Sequence, residues 1–202
     1  NIKATLKSYH EHSTAKAREK IINELGDGKN ISLVSDAGTP LISDPGYKLI
    51  RDIKKSGFNV SSAPGVSSPV MALTLSGIPS DKFLFVGFLP IKKSSRSDYL
   101  IEISNINASI IIFESAKRIN NTLMALKEIL GNRKVAICRE LTKKFEEIIN
   151  GNISDVLKEI SSRDSLKGEI VIVVSGPDDS NEKDVDIELM LMDALSTMSA
   201  SE

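Results

Sequence analysis

The sequence is poor in the residues that mark secreted, metal-binding and membrane proteins. It has one cysteine, no tryptophan and two histidines in 202 residues. A single cysteine, Cys138, cannot form an intramolecular disulfide, which is typical of a protein of the reducing cytoplasm. His10 and His12 could share one face of a strand, but the sequence has no further histidine and its one cysteine lies far along the chain, so we predict no metal site. No apolar run approaches the roughly 18 residues of a membrane-spanning helix, so we expect no membrane association.

The sequence also lacks a large net charge, because 26 Lys and Arg residues face 27 Asp and Glu residues. Binding to a nucleic acid would therefore depend on a local basic cluster. One such cluster consists of Lys92, Lys93 and Arg96, and a second lies at 48–55 on a predicted helix. Such clusters are often only a solvated surface. Aromatic residues make up 4% of the chain, which leaves few rings for stacking on bases.

Strand-like and helix-like segments alternate along the chain, which is typical of α/β folds with parallel or mixed sheets. Strands are predicted at 31–35, 58–63, 82–90, 109–115, 134–141, 145–151 and 168–176, and helices at 14–26, 47–57, 64–77, 117–131 and 152–162. The polar, basic segment 91–99 is predicted to link an N-terminal α/β domain, 1–90, to a C-terminal one, 100–177. Residues 178–202 are predicted to form a tail.

The segment VSDAGTPLISDPG, 34–46, follows a predicted buried strand and leads into a helix. In open α/β sheets, ligands bind beyond the carboxyl ends of the strands. Gly38 and Gly46 would allow a close backbone approach, whereas the carboxylates of Asp36 and Asp44 would repel a phosphate. No glycine-rich phosphate-binding motif is present. The segment favours a neutral or cationic ligand that carries a ribose, and a self-closing turn loop is the alternative.

Longer motifs carry a resemblance to a known family. The segments VSDAGTPLISDPGYKLI, PGVSSPVMALTLSGIPSDKFLFVGFLP and CRELTKKFEEI occur in this order, and LKSYHEH and KGEIVIVV extend the match to residues 6–176. In these motifs the chain resembles the bacterial small-subunit rRNA cytidine 2′-O-ribose methyltransferases, which belong to the tetrapyrrole-methylase-like class of S-adenosylmethionine enzymes. Two features depart from the family pattern. The strand and Pro-Ile-Gly-Asn loop with which members usually begin are not in this sequence, so we expect a fragment, and Lys117 stands where members usually have a histidine.

The resemblance implies two α/β domains with mostly parallel or mixed sheets, a cofactor cleft between them, and usually a homodimer. It implies transfer of a methyl group from S-adenosylmethionine to the ribose 2′-hydroxyl of a cytidine in small-subunit ribosomal RNA or the assembled subunit. No metal is needed, because the sulfonium is already a good electrophile. A precorrin-type methylase of the same fold and a non-catalytic α/β fragment are the alternatives.

The resemblance also implies roles for particular residues. Cofactor contacts are expected from Asp36, Gly38, Thr39, Pro40, Ser67, Ser68, Phe113, Glu114, Leu141, Gly168, Glu169 and Ile170. Among these, Ser67 and Ser68 would begin a helix whose free N–H groups could bind the methionine carboxylate. Glu140 and Lys143 are candidate bases, and Arg139 is a candidate partner of a phosphate or alkoxide; a structural ion-pair cluster is the alternative. RNA contacts are expected from Lys92, Lys93 and Arg96.

Overall fold

The structure is a computed structural model that describes residues 4–10, 12–36, 38–163 and 165–177. The chain divides into two compact units, Asn1–Met71 and Ala72–Glu202. The predicted tail, 178–202, lies outside the described residues. The predicted domain boundaries remain predictions.

The first unit contains helices α1, Ala15–Gly26, and α2, Tyr47–Lys55, and the start of α3, Ser68–Ser76. The Thr14 side chain accepts a hydrogen bond from the Ala17 N–H and so caps α1. Helix α2 buries Leu49 and Ile53. Arg18 Nε lies 2.7 Å from Asp52 Oδ2, and this ion pair fixes α1 against α2.

Two strands predicted in the first unit, 31–35 and 58–63, are not formed. Both segments are extended or irregular, and Val34, which we expected to be buried, is 76% exposed. A strand requires a neighbour to satisfy its backbone hydrogen bonds, and no strand forms among the described residues of this unit. The prediction of a buried strand before the 34–46 loop is therefore wrong.

The second unit is built on one five-stranded mixed sheet. Its strands are β1, Phe83–Phe88; β2, Ser109–Ser115; β3, Lys134–Arg139; β4, Glu147–Asn152; and β5, Glu169–Val174. Their order in the sheet is β1-β2-β5-β3-β4. Strands β1 and β2 are parallel, whereas the other neighbouring pairs are antiparallel. The remaining helices are α4, Lys93–Ile103; α5, Ile119–Leu130; and α6, Ile153–Ser161. The predicted α/β class is confirmed.

Both faces of this sheet are covered. One face carries Ile110 and Ile112, which pack with buried residues of α4, α5 and α6. The other face carries Ile111, which belongs to a smaller cluster with Ala72 and Leu73 of α3. Burial on both faces explains why β2 is an almost continuous run of isoleucines rather than an alternating pattern.

The segment predicted as a polar linker, 91–99, is mostly helical, because α4 begins at Lys93. Its inward face consists of Arg96, Leu100 and Ile103, which are all buried. These residues are spaced four and three positions apart, which places them on one side of a helix. The serines and basic residues of the segment are typical of a polar loop in the sequence.

The helix-covered face gives a first prediction. Leu126 on α5 is fully buried, whereas Met124 on the same helix is 49% exposed. We expect Leu126→Ala to lower the free energy of unfolding by roughly 2–5 kcal/mol, since it removes packed methyl groups and leaves a cavity. Met124→Ala is the matched control and should change it by less than about 0.5 kcal/mol. Urea unfolding followed by circular dichroism measures both, and equal losses would contradict the assigned inward face.

Candidate functional site

The loop that follows Val34 has a strained backbone. Between positions 38 and 46, four residues have positive φ: Gly38 (71°), Leu41 (75°), Ser43 (58°) and Gly46 (140°). Leucine and serine rarely adopt such angles, and each such residue costs on the order of 1 kcal/mol or more. The loop is closed by hydrogen bonds from Ser35 Oγ to the Gly38 carbonyl, 3.2 Å, and from the Ile42 N–H to the Thr39 carbonyl, 3.3 Å. Strain of this kind is concentrated at functional sites.

The two glycines of this loop are required for different reasons. A Cβ atom at Gly46 would lie 2.9 Å from Leu33 Cδ2 and 3.0 Å from Leu41 Cδ1, so packing excludes a side chain there. A Cβ atom at Gly38 would have no heavy atom within 4 Å. At Gly38 only the backbone angle favours glycine, and the open space beside it leaves the backbone accessible to a ligand.

Thr39 joins the loop to the segment that precedes α3. Its hydroxyl donates a hydrogen bond to the Val66 carbonyl at 3.0 Å. The partly buried Ser67 and Ser68 follow, and the Met71 N–H donates to the Ser67 carbonyl at 2.9 Å. The first N–H groups of a helix have no acceptor within the helix and form its positive end. The structure thus brings three predicted residues, Thr39, Ser67 and Ser68, to one region of the first unit.

In the second unit, the side chain of Glu114 is held inside the protein. Its carboxylate accepts hydrogen bonds from Thr122 Oγ1 at 2.5 Å and the Ser115 N–H at 2.8 Å, and Arg118 Nε lies 3.3 Å away. Arg118 also donates to the Leu89 carbonyl at 2.8 Å. The carboxylate therefore fixes the end of β2 to α5. Sequence reasoning missed Thr122, because an interior threonine on a helix gives no signal of its partner.

Phe113, one residue earlier, lies in an aromatic cluster. Its ring is 4.9 Å from that of Phe85 in an edge-to-face arrangement and 5.5 Å from that of Phe88. Phe88 is 58% exposed, so the cluster reaches the surface at the end of β1. Ile170, another predicted cofactor contact, is buried in the core, and Leu141 packs partly buried on the face that carries Ile111.

The predicted catalytic pair Glu140 and Lys143 forms an ion-pair cluster at the end of β3. Glu140 Oε1 accepts hydrogen bonds from Lys143 Nζ at 2.9 Å and the Glu169 N–H at 2.8 Å. Lys143 Nζ also lies 2.9 Å from Glu169 Oε2. The hydrogen bond from Lys143 and that from the Glu169 backbone lower the pKa of Glu140, and the bonds to Glu140 and Glu169 raise the pKa of Lys143. Both groups are therefore charged at neutral pH, and neither is well suited to accept a proton.

Gly168 makes room for the Glu140 side chain. A Cβ atom at Gly168 would lie 2.5 Å from Glu140 Cδ, and the Gly168 φ of 100° also favours glycine. Glu140 and Thr142 themselves have positive φ, 50° and 67°. The Thr142 N–H donates to Glu146 Oε2 at 2.6 Å, which stabilises this turn. The structure thus brings together the predicted residues Glu140, Lys143, Gly168 and Glu169.

Arg139 is engaged by its neighbours on the sheet. Its Nε lies 2.9 Å from Glu147 Oε2, and its Nη1 donates to the Lys167 carbonyl at 3.1 Å. Arg163 binds the same Glu147 carboxylate, at 2.9 Å to each oxygen. The hydrogen bonds from Arg163 and then Arg139 lower the pKa of Glu147, against the opposing effect of its partial burial. Sequence reasoning missed Arg163, which follows α6.

The predicted RNA-binding residues fall into two environments. Lys92 and Lys93 are exposed at the start of α4. Arg96 is only 8% exposed, and its Nη1 lies 3.4 Å from the Ile91 carbonyl. The structure therefore separates Arg96 from the two surface lysines.

Comparison with known proteins identifies the family. The family model described as Tetrapyrrole (Corrin/Porphyrin) Methylases matches residues 2–157. The chain is 45% identical over 195 residues, 96% of its length, to a protein of Rickettsia prowazekii named Ribosomal RNA small subunit methyltransferase I. The chain belongs to the tetrapyrrole methylase family. It lies in the branch of the small-subunit ribosomal RNA methyltransferases, as the resemblance of its motifs implied.

The chain covers only part of its curated relatives. It spans 69% of the length of the Rickettsia methyltransferase and 63% of that of a Bacillus subtilis methyltransferase of the same name, to which it is 43% identical over 93% of its own length.

Solved structures share the fold of this family member. The methyltransferase CobJ has a TM-score of 0.60 at 14% identity, with 82% of this chain and 72% of CobJ covered. A uroporphyrin-III C-methyltransferase of Thermus thermophilus, complexed with S-adenosyl homocysteine, has a TM-score of 0.51 at 13% identity, with 78% and 71% covered. At these identities the similarity establishes the fold alone.

Over 4–10, 12–36, 38–163 and 165–177, no group of three or more His, Cys, Asp or Glu side chains is arranged to hold a metal ion. Within those ranges, no helix has the length and apolar character needed to cross a bilayer.

The contact between Gly168 and Glu140 gives a second prediction. We expect Gly168→Ala to lower the free energy of unfolding by about 1–3 kcal/mol, because the new methyl group collides with the Glu140 side chain. In the Glu140→Ala background the same substitution should cost less, since that side chain is gone. The double-mutant cycle is measured by urea unfolding. Additive effects of the two substitutions would show that the contact does not exist.

The Glu147 cluster gives a third prediction, on pH. Because the folded-state pKa of Glu147 lies below its ordinary value of 4.5, its contribution to stability is present above that value. The contribution is lost as the pH falls through the lowered pKa. Urea unfolding at pH 7 should therefore show Glu147→Gln to be less stable than the parent, and the difference should shrink as the pH falls below 4.5. A difference that persists unchanged at pH 3 would exclude an electrostatic origin.

Proposed function

We propose that this chain is an S-adenosylmethionine-dependent methyltransferase that modifies the ribose 2′-hydroxyl of a cytidine in small-subunit ribosomal RNA. The observation that carries the proposal is its 45% identity to the Rickettsia methyltransferase over 96% of the chain. That protein's name supplies the small-subunit RNA and the transfer of a methyl group. The choice of a cytidine ribose rests on the resemblance of the DAGTP and CRELTK motifs.

The first unit has features that fit the methyl donor. Gly38 offers an open backbone, and Thr39 holds its loop beside the segment that begins α3. The N–H groups at the start of α3 suit the methionine carboxylate, and Asp36, which is exposed, suits a hydroxyl or ammonium group. Pro40 restricts the loop backbone. Of the predicted cofactor contacts in the second unit, Glu114 and Ile170 have buried side chains and could contribute through their backbone.

The reaction asks the protein mainly for alignment. Bound S-adenosylmethionine supplies a methyl carbon on a positively charged sulfur, which leaves as the neutral thioether. The ribose 2′-oxygen forms the new bond to that carbon and loses its proton to solvent or to a nearby base. The protein must hold oxygen, carbon and sulfur in line and exclude competing water.

The ion pair of Glu140 and Lys143 at the end of β3 is better suited to holding the backbone in place than to accepting a proton in this reaction. Glu140 and Lys143 are each stabilised in the charged state by the other, which weakens both as bases. Arg139 is already bound to Glu147. We therefore propose that these residues shape the turn 140–146 and that proton removal needs no dedicated side chain.

The RNA contacts and the assembly are also proposed. Lys92 and Lys93 are exposed cations suited to phosphates, because their charge is not buried in the fold. A homodimer and a cytoplasmic location are proposed on the family resemblance and the single cysteine.

The direct test is methyl transfer from labelled S-adenosylmethionine to small ribosomal subunits isolated from cells that lack this modification. The proposal expects label in the RNA and 2′-O-methylcytidine after digestion to nucleosides. Label in a precorrin but not in the subunits would favour the tetrapyrrole alternative. Binding of the donor without any transfer, or no binding at all, would favour the non-catalytic fragment.

A fourth prediction concerns the donor loop. Thr39→Val keeps the shape of the side chain but removes the hydrogen bond to the Val66 carbonyl, so the loop loses its link to the start of α3. We expect the dissociation constant for S-adenosylmethionine, measured by calorimetry, to rise about fivefold to tenfold, as befits one hydrogen bond. Asp27→Asn, an exposed change just after α1, is the control and should leave it unchanged. Equal binding by Thr39→Val and the parent would remove this loop from the proposed site.

A further inference from the structure

A β-bulge in β1 gathers three phenylalanines on one face of the sheet. Phe85 pairs with Ile111 and Phe88 pairs with Phe113, but Val86 and Gly87 lie between them, opposite Ile112 alone. Residues three apart on a regular strand point to opposite faces. The extra residue and the positive φ of Gly87, 66°, turn Phe88 back to the face that carries Phe85 and Phe113.

The resulting aromatic cluster is only partly buried in the fold. Phe85 and Phe113 pack against the sheet cluster that includes Ile111, but Phe88 leaves 58% of its surface exposed at the carboxyl end of β1. Three of the six phenylalanines of the chain therefore meet at one sheet edge. Bulges near sheet edges often redirect a side chain towards a site, and an exposed ring supported by two others is a rigid surface for stacking.

Exposed cations follow the ring closely. Lys92 lies four residues after Phe88, so their Cα atoms are at most about 14 Å apart along an extended chain. Lys92 and Lys93 are both exposed, and the first turn of α4 contains no acidic residue. The free N–H groups at the start of this helix add positive potential. A planar ring followed within five residues by two exposed cations matches a nucleotide, with its base on the ring and its phosphates on the lysines.

We propose that Phe88, supported by Phe85 and Phe113, is a stacking surface for an unpaired base of the substrate RNA, whose flanking phosphates bind Lys92 and Lys93. This inference rests on the proposed function and names a substrate contact within it. The adenine of S-adenosylmethionine fits this surface less well, because that molecule has no phosphate and carries a positive charge that the lysines repel. A second copy of the chain fits less well too, because a symmetric contact would bring the same lysines face to face.

The test uses oligocytidine, a 12-nucleotide single-stranded RNA, with affinity followed by fluorescence anisotropy. Phe88→Ala should raise the dissociation constant about tenfold to a hundredfold, as expected for one lost base stack. Phe88→Tyr keeps a ring and should bind like the parent. Phe83→Ala is the matched control, because Phe83 is 47% exposed at the amino end of the same strand, away from the lysines.

Salt dependence separates the ring from the lysines. Lys92→Gln with Lys93→Gln should reduce the slope of log affinity against log salt by about 1.4, since each single-strand phosphate contact contributes about 0.7. Phe88→Ala should leave that slope unchanged while lowering affinity at every salt concentration. Identical slopes and affinities in all the variants would overturn the proposal.

Three other outcomes also overturn it. Phe88→Ala that weakens S-adenosylmethionine binding, but not RNA binding, would assign the ring to the donor. Phe88→Ala that changes the oligomeric state, but not RNA binding, would assign it to a protein interface. A parent chain that methylates small subunits but does not bind oligocytidine would remove base stacking and leave the proposed function intact. Conversely, ring-dependent RNA binding without methyl transfer would support the stacking surface while the proposed function fails.

Discussion

The insertion of β5 between β2 and β3 is the constraint on which the second unit depends. Because β5 is antiparallel to both neighbours, β1, β2 and β3 all run in one direction. The carboxyl ends of these three strands therefore lie beside the amino end of β5, at one end of the sheet. The register pairs Ser115 and Arg139 with Glu169 and Ile170, which sets the predicted site segments of this unit side by side.

At this end of the sheet, two carboxylates are each paired with a cation of the same unit. Glu114 is neutralised inside the protein by Arg118 and held by Thr122, while Glu140 is held by Lys143 and the Glu169 backbone. Hydrogen bonds of this kind hold the two carboxylates in fixed positions. A reaction whose electrophile arrives already activated benefits from such a frame, because alignment rather than proton transfer is the main demand on the protein.

Secondary structure that follows from the local order of apolar and polar residues could be predicted from the sequence. Features that depend on residues distant in the sequence could not. The run SIIIFES predicted β2 at its observed bounds, 109–115, since burial on both faces leaves an uninterrupted apolar strand. The family was recognisable from its motifs. The strand predicted at 31–35 is not formed, because no strand pairs with it among the described residues, and most of the segment predicted as a linker is α4, whose sequence is polar and basic. The isolated glycine in FLFVGF is a local signal of the bulge at Gly87, whereas the collision that keeps residue 168 a glycine leaves none.

The most direct test of the site is hydrogen–deuterium exchange of this chain with and without S-adenosylmethionine. We expect slower exchange in the 36–46 loop, at the start of α3 and at the carboxyl ends of β2 and β3 and the amino end of β5, around residues 113–115, 140–143 and 168–170. The opposite end of the sheet, at 79–82, 107–109 and 175–177, should exchange at the same rate with and without S-adenosylmethionine. Protection confined to that opposite end of the sheet, or no protection in the loop, would contradict the proposed donor site.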